Sequence, residues 1–304
     1  MPDAGRATAA EDLRTPAPAR AVASIVAIGF RSEAFVPGAA PVESFVSQPG
    51  RDDVQMLVDS VRASVESGGH VLAIYPAWDP EPALRRLETV GAVLDTASLA
   101  LYPTSLPPLA GAVLASLASS AAAHVSSAGL LHAGLPALEK ELVICAWLGS
   151  VAGLSRPSPS LAQHILSAAP MTSFGVSLQP REGIRRLTKV DRSMEVPSTH
   201  RPMCLVVAAR EAAGASWIDE VIAPGLGSPP VKVVEPTPNG PRWWGTSRLA
   251  EAVAYPIDIP VVARRMVKHL RPALCDWCRR PIAAQICPFC GSNGAGDTAT
   301  GGDS

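Results

Sequence analysis

The sequence predicts an α/β protein with a small cysteine-bearing appendage, on three observations. Apolar runs of strand length alternate with segments of helical periodicity through residues 21–102 and again through 203–270. Apolar residues make up 47% of the 304 and charged residues only 17%, below the roughly 25% of an average chain, so there is core to bury and the protein is not disordered as a whole. Near the end, two Cys-x-x-Cys pairs stand eight residues apart. The 30 prolines, about twice the usual share, break the chain too often for a helical bundle.

The elements follow in order. Residues 1–20 are small, polar and proline-bearing, and are expected to be disordered. Residues 21–30 (AVASIVAIGF) read as a buried strand. Residues 52–67 place Val54, Leu57, Val58, Val61 and Val65 at helical spacing, and Gly68-Gly69 ends that helix. A second buried strand at 70–75, a helix at 81–90 stopped at Gly91, a strand at 99–102 and a small-residue helix at 109–123 complete the first alternation. Residues 135–148 look helical, 151–159 form a Ser/Pro connector, 173–178 a strand, and 179–201 a polar loop. A strand at 203–208, a helix around 217–222, a strand at 231–234 and a helix at 262–270 restore the alternation, while 247–254 fits either type. The tail from 293 is Gly/Thr/Asp-rich and expected to be loose.

Charge and length exclude some classes. Lys and Arg number 26 against 27 Asp and Glu, so no global basic field draws the chain onto nucleic acid or acidic lipid. The uncharged stretch 98–138 is split by Pro103, Pro107 and Pro108 and is otherwise rich in Ala and Ser, short of the roughly 20 strongly apolar residues of a membrane span. The N-terminus lacks a secretory apolar region. A soluble, intracellular, membrane-free protein is expected.

Cys275, Cys278, Cys287 and Cys290 carry the strongest chemical signal. Each Cys-x-x-Cys puts two thiolates on one tight turn, so four sulfurs can close a tetrahedron around zinc. Such a site has no open position for water, and its role would be structural. Disulfides or idle thiols are the alternatives. Cys145 and Cys204 lie in apolar runs and read as core. The catalytic inventory is poor: there is no GxSxG, P-loop or GxGxxG, and His70, His124, His132, His164, His200 and His269 form no metal-binding pair. Asp52-Asp53 fit the acidic preference of a helix start. Asp79, Glu211 and Asp258 are the only polar residues at strand ends that tempt a catalytic reading. Nucleic-acid candidates are Arg242-Trp243 and the ribbon pair Arg279-Arg280, since arginine beside aromatics can stack bases and contact phosphates.

The order of the pieces resembles the metallo-β-lactamase/β-CASP RNA-processing family over roughly residues 21–272. The run VRASVESGGHVLAIYPAWDPEPALRRLE (61–88), the strand at 24–29, ASLALYPTS (97–105), PMCLVVAA (202–209) with Gly214-Ala215-Ser216, VVEP (233–236) and AYPID (254–258) leading into ARRMVKHLRP (263–272) carry it. Within the family the resemblance is to the non-catalytic Integrator branch, with the inactive paralogue of the cleavage and polyadenylation factor as the alternative. It implies a β-CASP-like parallel-rich sheet with flanking helices plus a C-terminal zinc ribbon. The divisions are a lactamase-like segment at 21–67, a β-CASP-like domain at 68–240, a returning segment at 241–272, the ribbon at 273–292 and a tail at 293–304. Residues 255–262 hold no histidine where active members carry a metal motif, and the first metal motif would precede this chain. The resemblance therefore implies a nuclear pseudoenzyme, a scaffold for snRNA 3′-end processing that supports a catalytic nuclease subunit and other complex subunits, with RNA as a further candidate partner. A zinc-ribbon adaptor unrelated to RNA is the other alternative. The β-CASP reading requires Leu72, Leu99 and Val206 in one sheet.

Overall fold

The computed structural model describes residues 22–31, 35–37, 39–46, 54–94, 96–169, 172–196 and 201–293. The expected disordered start, Asp52-Asp53 and all of the tail beyond 293 lie outside the described residues.

The first alternation follows the sequence with two departures: the Pro/Gly-marked segment expected to be loop up to Gly50 contains a short strand at Glu43–Phe45, and the helix expected to stop at Gly91 runs on to Leu94. Strand β1 (Ser24–Ile28), β2 (Glu43–Phe45), helix α1 (Val54–Glu66), β3 (Val71–Pro76), α2 (Pro80–Leu94) and β4 (Leu99–Thr104) form a four-stranded parallel sheet of order β2-β1-β3-β4 with its helices. β3 is buried at every position, as a central parallel strand must be with both faces covered. Alternate residues divide between two cores. Val26, Ile28, Val71, Ala73 and Tyr75 pack with Leu57, Val61 and Leu87 of α1 and α2. Ile25, Ala27, Leu72, Ile74 and Tyr102 face the other way, into the main core.

That main core is built around α3 (Pro108–Ala121), buried at every residue but Ser120, and α4 (Ala128–Glu139). Small side chains let both sheets approach α3 closely: Gly111 lies against the Phe30 ring, where a Cβ would fall 2.5 Å from it. Beyond α3 and α4 stands a second sheet, of order β7-β6-β5-β10-β8-β9. Its members are β5 (Val143–Leu148), β6 (Ser173–Gln179), β7 (Gly183–Leu187), β8 (Met203–Ala209), β9 (Val231–Val234) and β10 (Leu249–Pro256), all paired antiparallel except β8 with β9. Helix α5 (Leu161–Ser167) links β5 to β6 with a Ser160/Gln163 capping box. The outer face of this sheet packs on α6 (Ala212–Trp217), which runs through a π-type turn at Ile218–Ile222 into α7 (Ala223–Gly225). Helix α8 (Gly240–Trp244) precedes β10, and α9 (Ile259–Val267) packs on α3 and α4.

Three corrections follow. Residues 135–148 are not one helix: α4 stops at Glu139, and Val143–Leu148 is a central strand. The polar segment 179–201 contains the edge strand β7, whose arginines face solvent. Most consequentially, Leu72 and Leu99 lie in the four-stranded sheet and Val206 in the six-stranded one. The single β-CASP-like sheet is therefore absent from this fold. An α/β architecture with a parallel sheet and flanking helices stands. Among the described residues, no helix is long and apolar enough to cross a membrane.

Candidate functional site

The four cysteines come together as the spacing predicts. Two short strands, β11 (Ala273–Leu274) and β12 (Pro281–Ile282), pair antiparallel. The two knuckles repeat one geometry: Arg279 N donates to Cys275 O at 2.9 Å and Gly291 N to Cys287 O at 3.0 Å. Arg279 and Gly291, each directly after its second cysteine, both take positive φ, 58° and 70°. The four Sγ atoms lie within 4.8 Å of one another, with Cys275–Cys290 at 3.7 Å and Cys278–Cys287 at 3.6 Å. A tetrahedron with Zn–S bonds of about 2.3 Å has edges of about 3.8 Å, so the donor set matches a metal ion and is far too open for disulfides. The cluster can hold a metal. Cys145 is buried, its thiol pushed up to about 12 by desolvation, and is inert core.

The cysteine module is docked, not free. Gly129 of α4 meets β12 so closely that a Cβ would fall 2.1 Å from Pro281 O. Arg280 Nε donates to His70 Nε2 at 3.3 Å and its NH2 to Ser98 Oγ at 3.2 Å, while its guanidinium lies 5.4 Å from the Phe289 ring. Arg280 thus ties the module to the starts of β3 and β4, and is no open contact for nucleic acid. Arg279 remains exposed.

A second site forms over the carboxyl ends of β1 and β3. In the order β2-β1-β3-β4 the chain leaves β1 to one side and returns to the other, which makes this the topological switch point, where open α/β sheets bind ligands. The connection β9–α8–β10 from the other sheet roofs it. Asn239 Nδ2 donates to Gly29 O at 3.0 Å, and Arg242 forks onto Asp79, with NH2 3.1 Å from Oδ1. Trp78 Nε1 donates to Leu106 O at 3.1 Å, and Trp243 stands edge-on to Trp244 with centroids 4.5 Å apart. Arg242 and Trp243 therefore belong to the seam between the sheets, on a different element from Arg279 and Arg280.

Beneath the seam lies Glu251 of β10, fully buried. Its Oε1 accepts from Trp244 Nε1 at 3.0 Å and from Leu109 N, at the α3 start, at 3.4 Å. Thr237 Oγ1 donates to Oε2. Burial pushes its pKa up, while these donors and nearby Arg210 pull it down. Sequence reasoning missed Glu251; a lone acid in the run LAEAVAYP was the available signal. Of the three acids that tempted a catalytic reading, Asp79 holds Arg242 and Asp258 caps α9 by accepting from Val261 N at 3.2 Å. Glu211 sits at the start of α6 with no side-chain capping bond.

No known family profile matches the sequence, and no curated protein matches it. Solved structures do match. A DegV family protein of Corynebacterium glutamicum aligns with a TM-score of 0.50 at 16% identity, over 77% of this chain and 96% of that one. A DegV family protein of Thermus thermophilus, described by its fatty acid binding, aligns at 0.50 and 13% identity, over 77% of this chain and 99% of that one. The shared fold is that of DegV proteins and overturns the metallo-β-lactamase/β-CASP resemblance. The Integrator-type RNA-processing role, the nuclease and RNA partners and the nuclear location rested on that resemblance and fall with it, as does the alternative of the inactive cleavage-factor paralogue. The adaptor alternative gains no support from these neighbours either.

Proposed function

We propose that this chain is a non-enzymatic binding protein for long-chain carboxylic acids, with a structural zinc ion in its cysteine cluster. The observation that carries the reading is the β1/β3 switch point, covered by the β9–α8–β10 connection of the second sheet, in a fold shared with a fatty-acid-binding DegV protein. Arg242, exposed and paired to Asp79 at this point, is the cation to receive a carboxylate head. Ser105, exposed where β4 runs into α3, offers a hydroxyl. An acyl chain would continue into the main core along α3, and Phe30, seated on Gly111, is the side chain that would have to move. Zinc supplies the fixed charge that holds four thiolates in one small module, and Cys275, Cys278, Cys287 and Cys290 are its ligands.

The experiment is a titration of delipidated protein with cis-parinaric acid, followed by displacement with oleate. Saturable binding, weakened about tenfold or more by Arg242→Glu, is expected. The absence of saturable binding, together with an organic extract of the native protein free of fatty acid, would overturn the reading.

A further inference from the structure

The six-stranded sheet carries a second concavity, on the face turned away from α3. It has a volume of about 630 Å³ and is walled by Trp147, Thr172, Ser173 and four cations, Arg186, Lys189, Arg192 and Arg248, with no acid among the described residues of its lining. In a chain with 26 basic and 27 acidic residues, such a concentration is not a reflection of overall composition. Neighbouring charges are neutralised locally: Arg192 pairs with Glu220 at 2.6 Å, and Arg185 with Asp191 at 2.5 Å. Among the described residues, Arg186, Lys189 and Arg248 have no acidic partner.

Arg248 is held in place before any ligand arrives. Its guanidinium lies 5.9 Å from the centroid of the buried Trp147 ring. The same side chain crosses Gly149, where a Cβ would fall 2.7 Å from its Cβ and 2.9 Å from its guanidinium. Glycine is therefore needed at 149 for Arg248 to lie across the strand end. A cation fixed by packing loses little entropy on binding an anion. Thr172 is buried and Ser173 half-buried, and both add hydroxyl donors to the wall.

We propose that this cavity binds the phosphoryl group of a small phosphorylated molecule. Two guanidinium forks and an ammonium around one concavity suit a multiply charged tetrahedral anion, which can use more donors at once than a single carboxylate. The volume is that of a small-molecule site, about 300–1,000 Å³, and a strand of nucleic acid would need a basic stripe along its path. The site is separate from the seam, so the two readings stand or fall independently.

The test is calorimetric titration of the full chain with pyrophosphate, and with citrate as a carboxylate of similar charge. Saturable pyrophosphate binding is expected, at least about tenfold tighter than citrate and reduced at least about tenfold in Arg186→Gln/Lys189→Gln. Both positions are exposed, so that variant should keep its melting temperature. Arg248→Lys keeps the charge but loses the fork, and should bind between wild type and the double variant. Arg242→Glu, which alters the seam, should bind pyrophosphate as wild type does. Equal affinity for citrate, an unaffected double variant, or no saturation below about 5 mM would each overturn the proposal.

Discussion

Replacing Glu251 offers the sharpest test of how the two sheets are joined. Its carboxylate receives Leu109 N of α3, Trp244 Nε1 of α8 and the Thr237 hydroxyl of the loop before α8, in a fully buried position. Glu251→Ala leaves all three without an acceptor. A buried group stripped of its partner costs about 1–3 kcal/mol, and the Leu109 bond is long, so a loss of about 3–6 kcal/mol is expected. Glu251→Gln preserves shape and one acceptor oxygen and should cost far less. The pH dependence separates the two effects. Because burial raises the folded-state pKa of Glu251 above its ordinary value, its contribution is fully present below the unfolded carboxylate range. It is lost as pH rises towards the folded value, with a limiting slope of about 1.4 kcal/mol per pH unit. Glu251→Gln has no proton to lose there. Urea unfolding followed by tryptophan fluorescence from pH 4 to 8 should therefore show the Gln variant gaining on wild type as pH rises. Parallel stability curves for the two proteins would refute the reasoning, and would mean that the three donors and Arg210 offset burial, so that the carboxylate titrates in the fold as it does in the unfolded chain.

The other predictions concern the docked module and the packed helix. Release of metal by a mercurial should yield one zinc per chain, and Cys275→Ser or Cys290→Ser should abolish it while raising hydrogen exchange across 273–292. Gly129→Ala drives a methyl into Pro281 O; it should retain zinc yet lose the protection of the His70 and Ser98 contacts, visible as faster exchange at the starts of β3 and β4. Gly111→Ala forces Phe30 off its seat and should lower stability by about 1–3 kcal/mol, measured by urea unfolding. Arg242→Ala removes an ion pair that is largely solvent-exposed on the arginine side and should cost less than about 1 kcal/mol, so a weakening of parinarate binding by that variant would report on the site and not on the fold.

What was legible in the sequence was local. The run HVLAIY reads as a buried parallel strand because both faces are apolar, and the Cys-x-x-Cys spacing fixes its own turn geometry, so β3 and the cysteine cluster need no tertiary information. The 135–148 stretch misleads because LPALEKELVICAWL has no Gly or Pro at the break. The helix ends only at Glu139, and the β-branched Val143 and Ile144 are the sole sign of a strand. β7 hides because GIRRL is an edge strand with solvent-facing arginines and so lacks an apolar pattern.

Sheet membership was the part that local pattern could not carry, and it decided the family. An ordered series of strands and helices is common to many α/β folds, and nothing within ALYPTS or CLVVAA says which strands hydrogen-bond together. The structure separates them by inserting α3 and α4 between β4 and β5, so that Leu99 and Val206 lie in different sheets, with Ala100 of β4 and Val206 of β8 facing the shared core. The contacts that create the seam are correspondingly remote: Asn239 reaches Gly29 across 210 positions, Arg242 reaches Asp79 across 163, and Glu251 reaches Leu109 across 142. Each joins a residue unremarkable in its own neighbourhood to one equally so. The module at the C-terminus closes the same gap from another side, with Arg280 bridging to His70 across 210 positions and β12 seated on α4. A metal bound there would therefore do more than fold about 20 residues. It would fix the element that holds α4 against the amino-terminal ends of β3 and β4, and loss of zinc should loosen the relation between the two sheets on which the proposed acyl site depends.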